Sequence, residues 1–179
     1  LEESPRRDCH IDSASKTVAC SSAGGGLRLA VVGYERSVTA EAGHRVGLSA
    51  GARVVHVAAG SLDRPGLAAL RAARPDLVLL VGGTDSGNSE VLLHNAGRLA
   101  TARLPAPVVV AGNVSVRDEV ATLLASTGRR HVLADNVVPE IGVISPESAR
   151  AAIRAAFLEH VIGGKGLSRD PAFAAMVRA

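Results

Sequence analysis

The feature that most constrains this chain is a regular alternation of short apolar runs with helical patterns. It is clearest where Leu77-Val78-Leu79-Leu80-Val81 runs into Gly82-Gly83-Thr84-Asp85-Ser86-Gly87-Asn88-Ser89-Glu90 and then into the helical pattern Val91 to Ala100. A strand-length apolar run, a glycine pair and a helix start form a unit at which α/β proteins place ligand-contacting atoms. Glycine lets backbone approach a ligand closely, and a helix start offers unpaired N–H groups. The same string is also what a tight βα connection looks like, with Thr84, Asp85 or Ser86 as helix cap, so the loop alone leaves both readings open.

The alternation extends along the chain. A strand is expected over Leu27–Gly33 and a helix over 40–50, with Thr39 as its cap, Glu41 in its first turn and Gly51 ending it. Arg53–Ala58 reads as a strand. Asp63 and Pro65 open a helix over Gly66–Ala73, and Pro75 stops it before the strand Asp76–Val81. A helix from Asn88 to about Thr101 follows, then a strand Val108–Ala111 after Pro105 and Pro107, and a helix from about Ser115 to Ala125. Gly128 ends that helix, Arg130–Ala134 is a further strand, and a last long helix runs from Glu147 to about Ile162 before Gly163-Gly164-Lys165-Gly166 breaks it. Upstream, Thr17-Val18-Ala19-Cys20 is a short strand candidate and Ser21 to Gly26 a turn, whereas residues 1–16 read as a loosely structured lead-in. The expected fold is α/β: a mostly parallel sheet with alternating helices on both faces, forming one domain over residues 17–179. Strand order is not legible at this level.

Composition narrows the function classes. Hydrophobic residues make up 47% of the chain but aromatics only 2%: there is no Trp, one Tyr (Tyr34) and two Phe (Phe157 and Phe173), so the core must be aliphatic. A net charge of +3, with only the short Arg129-Arg130-His131 cluster and almost nothing to stack on bases, argues against nucleic acid. No apolar stretch approaches the roughly 20 residues of a membrane span. The polar start Leu1–Asp8 does not read as a secretory signal, so a cytoplasmic protein is expected. Cys9 and Cys20 form no C-x-x-C pair, and no metal site is expected. His44, His56 and His94 fall on helices or a strand and read as structural. The chain starts with Leu, as a fragment or processed product would.

In a parallel sheet the C-terminal ends of all strands share one edge. That edge would gather Gly82, Gly83, Thr84, Asp85, Asn88 and Glu90 from one unit, Asn113 from the next and Asn136 from the one after. Asn offers donors and an acceptor and Asp accepts, which suits a polar ligand or a partner's backbone, although both are also ordinary turn residues. Ser21 and Ser22 beside the glycine triplet could grip an anion through their hydroxyls and the loop N–H groups. No Walker-type G-x-x-x-x-G-K-[ST], no G-x-G-x-x-G and no G-x-S-x-G is present, and no acid/base pair stands out, so catalytic residues are unknown.

Several of these segments resemble one family in order and spacing. Ala19-Cys20-Ser21-Ser22-Ala23-Gly24-Gly25-Gly26-Leu27-Arg28-Leu29 is similar to the A-C-S-S-A-x-G-G-L-[RK]-M signature of the glutamate mutase L (MutL or GlmL) accessory family. Thr39-Ala40-Glu41-Ala42 and Leu48-Ser49-Ala50-Gly51-Ala52 resemble its T-A-E-A and L-G-A-G-A block. Residues 82–90 followed by Leu93-His94-Asn95-Ala96 resemble G-G-T-D-G-G-N-K-E…L-H-N-A, with Ser86 and Ser89 in place of Gly and Lys. Ala111-Gly112-Asn113 with Asp118-Glu119-Val120, Asn136-Val137-Val138-Pro139 and Lys165-Gly166-Leu167 complete the series. The resemblance implies the actin-like ATPase superfamily, ATP and Mg as cofactors, and a reactivating-chaperone role toward an adenosylcobalamin-dependent mutase such as glutamate mutase. The family's early D-x-G-S-T and late D-x-G-G-A-T-T-D phosphate loops are both missing here, so the chain is expected to be the central part of such a protein or a degenerate copy. The alternatives are a stand-alone small-molecule-binding domain or enzyme using loops 82–88, 111–113 and 135–136, or a remnant without activity.

Overall fold

A computed structural model of the chain describes residues 26–162. The expected strand at 17–20, the Ser21 and Ser22 pair, the lead-in 1–16 and the segment beyond 162 lie outside the described residues. Five strands alternate with helices: β1 (Arg28–Gly33), α1 (Glu41–Ser49), β2 (Arg53–Ala59), α2 (Arg64–Ala72), β3 (Leu77–Leu80), α3 (Glu90–Thr101), β4 (Val108–Val110), α4 (Arg117–Ala125), β5 (His131–Leu133) and α5 (Glu147–Ala156). Wide π-type turns precede α1 at Arg36–Ala40 and extend α5 at Phe157–Ile162.

All strand pairings are parallel, and the sheet order is β2-β1-β3-β4-β5. The centre of the sheet is buried on both sides, which is why β1, β3 and β4 read as continuous apolar runs. Their side chains alternate between two cores. Leu29, Val31, Leu77, Leu79 and Val109 pack with Ala42 and Val46 of α1 and Ala149 and Ile153 of α5. Ala30, Val32, Val78, Leu80 and Val110 pack with Leu67, Leu70, Leu92, Leu99, Val120 and Leu124 of α2, α3 and α4 on the other face. α1 rides close to the sheet through two glycines: a Cβ on Gly43 would stand 2.8 Å from Val31, and one on Gly47 would stand 2.5 Å from Leu29.

The helix ends largely follow the signals in the chain. Asp63 caps α2 by accepting from the Gly66 N–H at 2.7 Å. α1 closes on Gly51, with Ala52 donating to the Gly47 carbonyl and Gly51 to that of Leu48, the two bonds of a Schellman ending. Thr39 does something other than cap α1. Its hydroxyl accepts from the N–H groups of Tyr34 and Glu35 at 2.8 and 3.0 Å, tying the chain back onto the end of β1 before the helix starts.

This order reverses direction between β1 and β3. The chain leaves β1 toward the face of α1 and leaves β3 toward the face of α3, so a crevice opens between the two loops at the C-terminal edge. The described segment enters β1 at the opposite edge. It also leaves there, because Glu159 beyond α5 faces residues 128–131 at the start of β5.

Candidate functional site at the C-terminal edge of the sheet

The loops after β3, β4 and β5 are laced together by the Asp and Asn side chains that end them. Asp85 Oδ1 accepts from Asn136 Nδ2 at 2.8 Å and from the Val114 N–H at 3.1 Å. Asn136 Nδ2 also donates to the Gly83 carbonyl at 3.0 Å, while its Oδ1 accepts from Val138 N–H at 3.1 Å. Asn113 Nδ2 donates to the Gly87 carbonyl at 3.0 Å, and its Oδ1 accepts from Ser115 N–H at 2.9 Å. Two further bonds close the lacing: Asp85 N–H to the Pro139 carbonyl and Ser86 N–H to Ser115 Oγ.

Asn113 and Asn136 are buried, and burial of an amide is tolerated because its donors and acceptor find partners. The structure thus brings Gly82, Gly83, Thr84, Asp85, Asn88, Asn113 and Asn136 to one edge, but the buried pair spends its amide donors on the loop after β3 and its oxygens on its own turns. What faces outward is Ser86, Gly87, Asn88 and Glu90, with Thr84 and Asp85 half-buried. Helix α3 is opened by Asn88, whose Oδ1 accepts from Glu90 N–H at 3.0 Å, rather than by Thr84, Asp85 or Ser86.

The backbone of this loop is tightly determined. Gly83 has φ of 70°, and a Cβ there would run into the Asn88 carbonyl oxygen. Ser86 has φ of 61°, a left-handed conformation that glycine adopts more readily than serine. Tyr34 lies across the crevice, its Cβ 3.3 Å from where a Gly82 Cβ would stand.

Beside the crevice is an apolar cleft of about 260 Å³ lined by Val38, Ala42, Val138, Ile141, Val143 and Ile144, with Glu41 and Arg45 at its side. Ile141 is 91% exposed, and Val38, Val143 and Ile144 are exposed too. Large aliphatic side chains gathered on a surface are unusual for a solvated loop. A larger hollow of about 420 Å³ lies at the other edge, between the end of α4, the start of β5 and Glu159. It touches none of these loops, and its Arg129 is committed to the carbonyls of Ala102 and Leu104, where burial lowers its pKa without discharging it.

Sequence reasoning missed Asn95, which is fully buried. It accepts from Leu62 N–H at 2.7 Å and donates to the Gly60 carbonyl at 3.0 Å, holding the loop between β2 and α2. Its signal was a polar residue on the apolar stripe Leu92, Ala96, Leu99. His94 Nε2 lies 3.2 Å from the Leu62 carbonyl oxygen, so it too serves that loop. His56, in β2, is half-buried with an unpartnered Nε2, and burial pushes its pKa below the ordinary value.

Part of the backbone donor set of the 82–90 loop is used internally. The N–H groups of Asp85, Ser86, Gly87 and Glu90 already have acceptors within the loops. Among the described residues no three His, Cys, Asp or Glu side chains gather as metal ligands, and no helix is long and apolar enough to cross a membrane.

The family model for MutL protein matches residues 1–179. The chain belongs to the MutL family. Protein MutL of Clostridium tetanomorphum is 39% identical over 158 residues, which cover 88% of this chain and 34% of that protein. The chain therefore spans about a third of the length of this MutL relative. The motifs that carry the resemblance map onto the laced edge and its support: Asp85, Asn113 and Asn136 with Pro139 in the lacing, Asn95 bonded to the loop between β2 and α2. Among solved structures, the signal receiver domain of a modulated diguanylate cyclase from Desulfovibrio desulfuricans G20 aligns with 73% of this chain and 97% of its own at 15% identity, with a TM-score of 0.43.

Proposed function

We propose that this domain is the partner-facing part of a glutamate mutase L-type accessory protein, which acts as a reactivating chaperone for an adenosylcobalamin-dependent mutase. The observation that carries the reading is the laced C-terminal edge beside the exposed cluster Val38, Ile141, Val143 and Ile144. A surface that is tied together by side-chain hydrogen bonds and partly apolar suits contact with another macromolecule. The mutase is the occupant this reading assigns to it. Within the reading, Thr84, Asp85, Asn88 and Glu90 form the polar rim, while Gly82, Gly83, Asn113 and Asn136 shape it. ATP and Mg are implied by the resemblance alone, and no step of the reading runs through them.

The test is rescue of an inactivated mutase by the whole accessory protein carrying Ile141→Asp with Val143→Asp. The expected result is a drop in rescue of about tenfold or more, as for loss of a central apolar anchor, with an unchanged melting temperature. Unchanged rescue overturns the assignment of this face. The alternative of a small-molecule enzyme at the same edge has less support, because the N–H groups of Asp85, Ser86, Gly87 and Glu90 are already engaged.

A further inference from the structure

The groove between α2 and α3 lies on the other face from the apolar cleft and plays no part in the proposed function. It encloses about 350 Å³ and is lined by Arg64, Leu67, Arg71, Arg98, Thr101 and Ala102. Three of its six lining residues are arginines and none is acidic, so the groove concentrates positive charge. We infer that it binds the phosphate or diphosphate end of a small soluble molecule.

The geometry follows from the helices. Arg64 and Arg71 are seven residues apart on α2, two turns along one face, and buried Leu67 between them forms the floor. Arg98 approaches from α3, its Nε donating to the Leu62 carbonyl at 3.2 Å. That bond anchors the guanidinium and leaves its terminal nitrogens for the groove. Thr101 is held at the rim by its own helix, its hydroxyl donating to the Gly97 carbonyl at 3.2 Å.

Arg64 carries the electrostatic argument. It stands in the first turn of α2, where the helix dipole is positive, and no acid shares that turn. The nearest carboxylate along the chain is the cap Asp63, which accepts from the Gly66 N–H and is not among the residues lining the groove. A cation in that position gains stability when an anion sits between it and its neighbours. Guanidinium forks match phosphoryl oxygens, which accept two N–H bonds side by side. The volume is near the lower end of ligand sites, about 300 Å³ and upward, which fits a diphosphate better than a large bound body.

The probe is inorganic pyrophosphate, titrated calorimetrically into the intact chain and into Arg64→Gln with Arg71→Gln. Both residues are exposed, and the melting temperature of the pair reports that folding is retained. A control with Arg53→Gln and Arg154→Gln removes the same charge from exposed sites on β2 and α5. The expected result is saturable one-site binding, weakened about tenfold or more in the groove pair and retained in the control. Absence of saturable binding, equal weakening in the control, or equal affinity in the groove pair each overturns the site. Sedimentation with phosphatidic-acid vesicles in the absence of pyrophosphate binding also overturns it, in favour of a lipid headgroup.

Discussion

Ser86 sits at φ 61° at the tip of the loop after β3, in the position where the family pattern carries glycine. A serine held in the left-handed region costs about 1 kcal/mol relative to glycine. Ser86→Gly is therefore expected to raise stability by up to about 1 kcal/mol, measured by urea denaturation, less the entropy glycine adds to the unfolded chain. Gly83→Ala should act the other way and by more, roughly 2 kcal/mol or above, since its methyl group would meet the Asn88 backbone oxygen. Asn136→Ala removes an amide that serves Gly83, Asp85 and Val138, and should cost about 1–3 kcal/mol by the same measurement. His56 supplies a pH dependence. Burial lowers its folded-state pKa, so the unfolded chain takes up the proton first as pH falls. Its share of stability is complete above the unfolded value of about 6.5 and declines as pH drops from there toward the folded value. His56→Gln should flatten the stability profile in that window, as read by melting temperature against pH. The sequence showed where Asp85, Asn113 and Asn136 would gather. It could not show that Asn136 bonds to Asp85 while Asn113 reaches the Gly87 carbonyl, because that depends on the spacing of β3, β4 and β5 in the sheet.

Helix and strand positions were legible because the chain punctuates them. Asp63 with Pro65, Gly51, Pro75 and Gly128 each mark an end that the structure contains. The wide turn at Arg36–Ala40 was not legible, since nothing in Arg36-Ser37-Val38-Thr39-Ala40 distinguishes a π-type turn from the start of an α-helix. Strand order has no local signal either: β1 lies between β2 and β3 because α1 and α2 cross to opposite faces, and the residues facing each core alternate without naming a neighbour. At this scale α1 is the sensitive element. Gly47→Val should loosen α1 from Leu29 and Val54 and destabilise the protein by about 1–3 kcal/mol, whereas Gly97→Ala on α3, with open space around it, should be neutral or stabilising; chemical denaturation separates the two.

For the molecule as a whole, the central strands β1, β3 and β4 are closed off on both faces and the outer strands are not. Native-state hydrogen exchange should accordingly find the slowest amides in β1 and β3 and faster exchange in β2 and β5, with β5 opening before the centre does. Protection as high in β5 as in β3 would contradict this layering. The scarcity of aromatic residues has a further consequence for anyone observing the protein. With no tryptophan and a single tyrosine, Tyr34 is the sole strong native fluorophore, and its backbone and Cβ stand against Gly82 where the sheet order reverses. Its emission and quenching are thus a label-free view of that crevice, and a docking event at the laced edge should register in ultraviolet fluorescence without any dye attached.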